Sequence, residues 1–305
     1  MEQNKLILFM PSIEGGGVEK NLFIVSNYLS KKVRNISLIT ASKSYRKKFN
    51  KKIKLITPNS SLWDKLGRKR KYLICLWLLF KEIIKHKKIL VFCFQANIYC
   101  LIICKIFKIK IIVRSNSSSS GWSQNIVKNF IFKKMLNKAD KTMVNSNDFK
   151  KELKKKFNIN AVCIYNPLNI KEIKKLSKTN IREKFFKDKK ILKIINVGRF
   201  TDQKDHITLL KAANVLKNKI KFKILIIGRG VNEFKIKKYI KNNNLEKIVK
   251  IKNFNNNPFP YIRLSDLFIL SSTFEGLPNV ILEALALNKF VISSNCPTGP
   301  REILL

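Results

Sequence analysis

The sequence predicts an α/β protein built on parallel sheets. Short apolar runs alternate with longer stretches of helical periodicity. That alternation runs twice, on either side of a polar, Lys-rich connector at 171–190. Turns rich in Gly, Asn or Pro punctuate both series. Such alternation fits parallel strands covered by helices. The 305 residues suffice for two domains of ordinary size, and we expect them at 1–168 and 169–305.

In the first half, Lys5 to Met10 reads as a strand and Glu14 to Gly17 as a turn. Val18 to Leu29 reads as a helix, because Leu22, Val25 and Leu29 recur at helical spacing. Ile36 to Thr40 and Ile53 to Ile56 read as strands, and Asp64 to Lys85 as one long helix, both basic and apolar. The series continues with a strand at Ile89 to Phe94, a helix at Ile98 to Phe107 and a strand at Lys110 to Val113. A serine-rich loop spans Asn116 to Ser123. Helices at Gln124 to Asn137 and Asp148 to Phe157 then flank a strand at Lys141 to Val144. Val162 to Tyr165 closes the half, and Asn166-Pro167 ends it.

The second half opens with a strand at Leu192 to Val197 and a helix at Asp205 to Val215. A strand at Lys221 to Ile227 ends in Gly228-Arg229-Gly230. Glu233 to Asn242 is a helix, Val249 to Lys252 a strand and Pro258 to Leu264 a short helix. Leu267 to Leu270 reads as a buried strand leading into a tight loop and a helix, with Pro278 in the first helical turn. Phe290 to Ser293 is the last strand.

No stretch approaches the ~20 apolar residues of a membrane-spanning helix. Met1 to Lys5 runs into a strand without a signal-peptide layout, which predicts a cytoplasmic protein. The six cysteines, at 75, 93, 100, 104, 163 and 296, form no C-x-x-C pair and read as buried free thiols. The net charge of +44 suits nucleic acid or an anionic membrane. It is spread along the chain and mostly Lys, with Asn and Ile also abundant, as a bias toward A/T-rich codons would produce. Lys beside an anionic leaflet contributes about 1 kcal/mol whatever its origin. Trp63, Trp77, Leu76, Leu78 and Leu79, mixed with Lys65, Arg68, Lys69, Arg70 and Lys71, fit a helix lying in a membrane surface, or a core helix with a basic start.

Three constellations carry chemistry. Glu14-Gly15-Gly16-Gly17-Val18-Glu19-Lys20 could bring backbone close to a phosphate or sugar at a helix start. It is neither G-x-G-x-x-G nor a P-loop, and Ile39-Thr40-Ala41-Ser42 offers no acid for a ribose. Asn196-Val197-Gly198-Arg199-Phe200-Thr201-Asp202-Gln203-Lys204 places two cations after a strand, suited to a diphosphate. Glu275 and Glu283 flank the turn Gly276-Leu277-Pro278-Asn279. Two carboxylates also fit acid–base hydrolysis of a glycoside, and spacing in sequence does not separate the readings. Of the two histidines, His86 reads as a surface residue and His206 as part of a helix start.

These residues together resemble a glycosyltransferase of the family 4 type, over nearly the whole chain and most strongly from Asn196 onward. The shared features are the E-x7-E pair (Glu275, Glu283), Val197-Gly198-Arg199 with Lys204, Ile227-Gly228-Arg229-Gly230, Tyr165-Asn166-Pro167 and the triple glycine. Asn295-Cys296-Pro297-Thr298-Gly299-Pro300-Arg301-Glu302-Ile303 resembles a subgroup that builds bacterial surface polysaccharides, lipopolysaccharides and lipid-linked oligosaccharides, N-acetylgalactosamine transferases included. The resemblance implies a GT-B fold: two Rossmann-like domains facing across a cleft. Members usually continue beyond Pro300-Arg301-Glu302, so the second domain is expected to be incomplete.

The same resemblance implies a retaining transfer of a hexose or N-acetylhexosamine from a UDP- or GDP-sugar to a lipid-linked or polysaccharide acceptor. Arg199 and Lys204 would hold the donor diphosphate, Glu275 the sugar hydroxyls and Glu283 the ribose. Gly228 and the backbone of Gly276, Leu277, Pro278 and Asn279 would line the donor, and Gly16 and Gly17 would close over the diphosphate. No protein base and no obligatory metal is expected, and no D-x-D motif occurs. Many members carry a histidine where Val113-Arg114-Ser115-Asn116 has none. The expected location is the inner face of the cytoplasmic membrane. A charge-driven nucleic-acid-binding protein and an inactive transferase fragment are the alternatives.

Overall fold

A computed structural model describes residues 5–86, 88–116, 126–188 and 190–305; side chains 126–129 and 131 are not described. The chain divides into two compact units, Met1–Pro167 and Leu168–Leu305.

The first unit is a seven-stranded sheet. Its elements, in order, are β1 (Lys5–Phe9), α1 (Gly17–Leu29), β2 (Ile36–Ile39), β3 (Lys54–Ile56), α2 (Arg68–Lys85), β4 (Ile89–Cys93) and α3 (Asn97–Ile106). There follow β5 (Lys110–Ser115), α4 (Ile126–Leu136), β6 (Lys141–Val144), α5 (Asn147–Phe157) and β7 (Ala161–Cys163). Spatial order is β3-β2-β1-β4-β5-β6-β7, with every pairing parallel. Parallel strands covered on both faces are apolar throughout rather than alternating. Ile7 and Phe9 accordingly feed one core layer and Leu8 the other.

The second unit comprises α6 (Ile170–Ser177), β8 (Leu192–Val197), α7 (His206–Leu216), β9 (Phe222–Gly228), α8 (Glu233–Asn242) and β10 (Val249–Asn253). It continues through α9 (Phe259–Leu264), β11 (Leu267–Leu270), α10 (Asn279–Ala286), β12 (Phe290–Ser293) and α11 (Pro300–Leu304). Its five strands run β10-β9-β8-β11-β12, all parallel. Strand order reverses direction between β8 and β11. Open α/β sheets bind ligands at such a switch point, outside the carboxyl ends of the strands.

Two elements differ from the sequence-based expectation. The helix expected from Asp64 begins at Arg68, because Gly67 is its N-cap with extended backbone and Ser61–Lys65 form a separate 3-10 turn. Pro278 is the N-cap of α10 rather than a first-turn residue, with ψ at 105°. Trp63, Leu76 and Leu78 pack against the core and Leu79 is fully buried, whereas Leu73, Trp77 and Ile84 face outward. Among the described residues no helix is long and apolar enough to cross a membrane. All six cysteines are free, and burial pushes the Cys75 thiol up to about 12.

Candidate active site

The loops after β8 and β11 meet at the switch point of the second sheet. Gln203 ties them: its Nε2 donates to Phe274 O at 3.0 Å, and its own carbonyl accepts from Thr273 N at 2.8 Å. Ser271 Oγ donates to Lys204 O at 3.0 Å. Asp205, at φ 38°, then caps α7 by accepting from Thr208 N at 3.2 Å.

This stapling brings Lys204 and Glu275 together. Lys204 Nζ forms an ion pair with Glu275 Oε1, and both side chains are largely buried. Ser272 Oγ donates to the same oxygen at 2.6 Å. From the other side, Thr298 Oγ1 donates to Glu275 O, and Glu275 N donates to Pro297 O at 3.3 Å. Glu275 is thus held by its carboxylate and by its backbone. A buried ion pair of this kind is costly to break by removing one partner, since the other charge stays behind.

Lys204 is therefore not a solvated surface cation. Arg199 is exposed. Glu283 is 2 % exposed on α10 rather than solvated. Gly276, Leu277 and Pro278 are buried and Asn279 half-buried. Gly228 sits at the end of β9, where the backbone just after β8 leaves no room for a side chain: a Cβ there would lie 1.9 Å from Gly198 O. Thr298, Gly299, Ser272 and Gln203 are positioning residues that sequence reasoning passed over. Ser272 and Thr298 bond Glu275 itself, Gln203 bonds the neighbouring Phe274 and Thr273, and Gly299 lies against Gly276, contacts that depend on loop conformation.

His206 is buried edge-on against Phe200, with ring centroids 5.1 Å apart, and neither ring nitrogen has a hydrogen-bond partner. Burial, with Lys204 nearby, pushes its pKa down to about 4, so the ring is neutral at physiological pH. A cavity of about 360 Å³ opens beside it, lined also by Thr201, Asp205, Lys211, Asn232 and Thr273.

In the first unit, Gly16 is the N-cap of α1, and the Glu19 carboxylate folds back against it. Glu14 is clamped by Arg68, which holds its carboxyl below the usual range. His86 is half-buried and hydrogen-bonds Lys5 Nζ at 2.9 Å. Among the described residues no group of three or more His, Cys, Asp or Glu side chains is arranged to hold a metal ion.

Buried neighbouring cation and carboxylate, at a parallel sheet's switch point, suit a ligand bearing both phosphate and hydroxyls. Residues 177–305 match the family model described as Glycosyl transferases group 1. An uncharacterized glycosyltransferase of Methanocaldococcus jannaschii is 37% identical over 50% of this chain and 37% of its own length. A second relative, from Campylobacter jejuni, is 31% identical over 59% of this chain and 48% of its own length. It is named N-acetylgalactosamine-N,N'-diacetylbacillosaminyl-diphospho-undecaprenol 4-alpha-N-acetylgalactosaminyltransferase. The chain thus spans about half the length of these relatives or less. The crystal structure of a glycosyltransferase from Rickettsia africae superimposes with a TM-score of 0.73 at 22% identity, covering 100% of this chain and 82% of that one. Anabaena HepE, solved with UDP and glucose, gives a TM-score of 0.75 at 15% identity, covering 99% and 83%. The fold is that of the GT-B glycosyltransferases, with two Rossmann-like sheets of seven and five strands.

Proposed function

We propose that the protein transfers a sugar from a UDP- or GDP-sugar to a lipid-linked or surface-polysaccharide acceptor, with retention at the anomeric carbon. The observation that carries this reading is the buried Lys204–Glu275 pair at the β8/β11 switch point. Arg199 and Lys204 meet the diphosphate, Glu275 the sugar hydroxyls and Glu283 the ribose hydroxyls. Gly228 and the turn Gly276 to Asn279 line the donor. The phosphate charge falls to these cations, and the reading calls for no metal.

In the transfer step an acceptor hydroxyl oxygen bonds to the anomeric carbon as the bond to the leaving phosphate oxygen breaks. The hydroxyl proton passes to the departing phosphate on the same face. Fixed cations beside the developing phosphate charge supply the main stabilisation. An N-acetylhexosamine is the favoured sugar, on the strength of the Campylobacter relative's name.

A thermal-shift titration tests the donor half. A nucleotide at a hundredfold excess over its Kd stabilises by ~2.7 kcal/mol. For a chain of this size that raises the melting temperature by about 5 °C. UDP or GDP should give this shift in the wild type and lose it in Lys204→Ala; no shift with either nucleotide sinks the reading.

For location we propose the inner membrane face, through α2 and α3. Leu73, Trp77, Tyr99, Ile106 and Phe107 are exposed there, beside exposed Arg68, Lys69, Arg70 and Lys81. With a net charge of +44, a second copy of the chain is a repulsive partner for this face and an anionic bilayer an attractive one. Co-sedimentation with phosphatidylglycerol-containing vesicles should fall at least tenfold in a Trp77→Ser/Ile106→Ser double variant. Equal pelleting with pure phosphatidylcholine vesicles would remove the charge argument.

A further inference from the structure

The carboxyl ends of β4 to β7, in the first unit, hold a second polar cluster that the reading above leaves unused. Its centre is Arg114, 1 % exposed at the end of β5. Its Nε donates to Asn116 Oδ1 at 2.9 Å and its Nη2 to Asn166 Oδ1 at 2.7 Å. The guanidinium carbon lies 5.6 Å from the centre of the Phe94 ring. No carboxylate among the described residues pairs with Arg114. The neighbouring stretch 117–125 contains no Asp or Glu in its sequence. Burial pulls the Arg114 pKa down to about 10, so the side chain still carries its charge at neutral pH.

Two oxygens beside it are also unsatisfied. Asn145, 2 % exposed just after β6, donates through Nδ2 to Asn116 O at 3.5 Å, while its Oδ1 is buried without a hydrogen-bond partner. Asn97, at the start of α3, donates through Nδ2 to Arg114 O at 2.9 Å, and its Oδ1 is likewise buried and unpartnered. Asn97 and Asn116 are half-buried, so the cluster reaches solvent through them.

Each of these features is unfavourable by itself. A buried guanidinium whose partners among the described residues are two amide oxygens and an aromatic ring keeps an uncompensated charge, and an apolar side chain would serve packing better. A buried acceptor without a donor carries its desolvation cost unreturned. The unmet requirements complement each other: an anion for the cation, and O–H or N–H donors for the two oxygens. One ligand class supplies both at adjacent positions. We propose that Arg114, Asn116, Asn145, Asn166 and Asn97 form a subsite for a glycosyl phosphate, with the phosphate toward Arg114 and sugar hydroxyl or amide N–H groups toward the Asn145 and Asn97 oxygens. In the transfer proposed above, this group is the phosphate-linked saccharide of the acceptor. To that extent the assignment rests on that reading; binding to the subsite does not require turnover or a donor nucleotide.

Calorimetry on the full chain with glucose 1-phosphate, glucose and inorganic phosphate as probes tests the subsite. Glucose 1-phosphate should bind at least tenfold more tightly than either half alone. Arg114→Lys keeps the charge and loses the planar fork, and should weaken it at least tenfold. Asn145→Leu removes a buried unsatisfied oxygen at similar volume. It should weaken glucose 1-phosphate at least tenfold without lowering the melting temperature of the free protein, whereas a purely structural Asn145 gives the opposite pattern. Lys204→Ala should leave this binding unchanged. Loss in Lys204→Ala with retention in Arg114→Lys would place the probe in the second unit and overturn the proposal. So would inorganic phosphate binding as well as glucose 1-phosphate, or no binding of glucose 1-phosphate. Failure of UDP and GDP to bind would instead strike the donor reading and leave this result standing.

Discussion

Glu275→Gln is expected to lower turnover by roughly 10²–10³-fold, the range found when one preorganised electrostatic contact to a reacting centre is removed. The substitution preserves shape and keeps a hydrogen-bond acceptor for Ser272 Oγ, which now donates to Glu275 Oε1 at 2.6 Å. Its backbone contacts with Pro297 and Thr298 involve no side-chain atom of Glu275 and persist. What disappears is the negative charge beside Lys204. Two consequences follow, with different readouts. The amide is a poorer acceptor for sugar hydroxyls, so turnover falls. Lys204 loses its internal counter-ion, so its full charge faces the diphosphate and UDP affinity holds or rises. Lys204→Ala has the opposite signature, with UDP affinity falling together with turnover. Donor hydrolysis or transfer, measured beside UDP binding for both variants, separates the roles. Unchanged turnover in Glu275→Gln would remove that residue from the mechanism.

The pairing of these residues marks where sequence reading stops. Leu192–Val197 is a largely apolar run closed by Gly198, and Leu267–Leu270 is an apolar run bounded by Asp266 and Ser271, so both strands are legible residue by residue. Glu233–Asn242 is equally plain, because Ile236 and Ile240 recur one turn apart on an otherwise polar stretch. The start of α2 was not legible, since basic residues continue across Gly67 without a break in composition. The loops at the switch point were legible as loops and as carriers of charge. Their mutual contact was not. Lys204 and Glu275 stand 71 positions apart, and their approach depends on Gln203 adopting a conformation that staples both loops. The family resemblance implies phosphate for one residue and sugar for the other; in the folded protein they neutralise each other. Arg114 was illegible for a different reason. In a chain with 63 Lys and Arg residues, composition does not distinguish one that is buried without a carboxylate.

The site also depends on places where backbone lies against backbone, Gly228 and Gly299 among them, and substitutions at these two should have large effects on stability. At Gly228 a Cβ would sit 1.9 Å from Gly198 O and 2.7 Å from the Phe200 ring. The first contact is backbone of the residue that follows β8, already tied to β9 through Gly198 N donating to Ile227 O at 3.0 Å. No rotamer change relieves it, so β8 and β9 must part exactly where the Arg199–Lys204 loop departs. Gly299 combines two penalties. Its φ is +79°, which L side chains rarely adopt, and its Cβ would lie 1.6 Å from Gly276 O. Overpacking costs about 1–3 kcal/mol, more against rigid backbone, and a strained left-handed residue adds about 1–2 kcal/mol. Gly228→Ala and Gly299→Ala are each expected to lose about 3 kcal/mol or more in urea unfolding monitored by circular dichroism. The two should differ in what survives below the transition. Gly299→Ala pushes on Gly276, next to Glu275, and should impair turnover more than UDP affinity. Gly228→Ala disturbs the strand that carries the cation loop and should weaken UDP binding itself. A loss under 1 kcal/mol in both would mean that the two close approaches relax freely, and that the loops around Glu275 and Lys204 are not held by them.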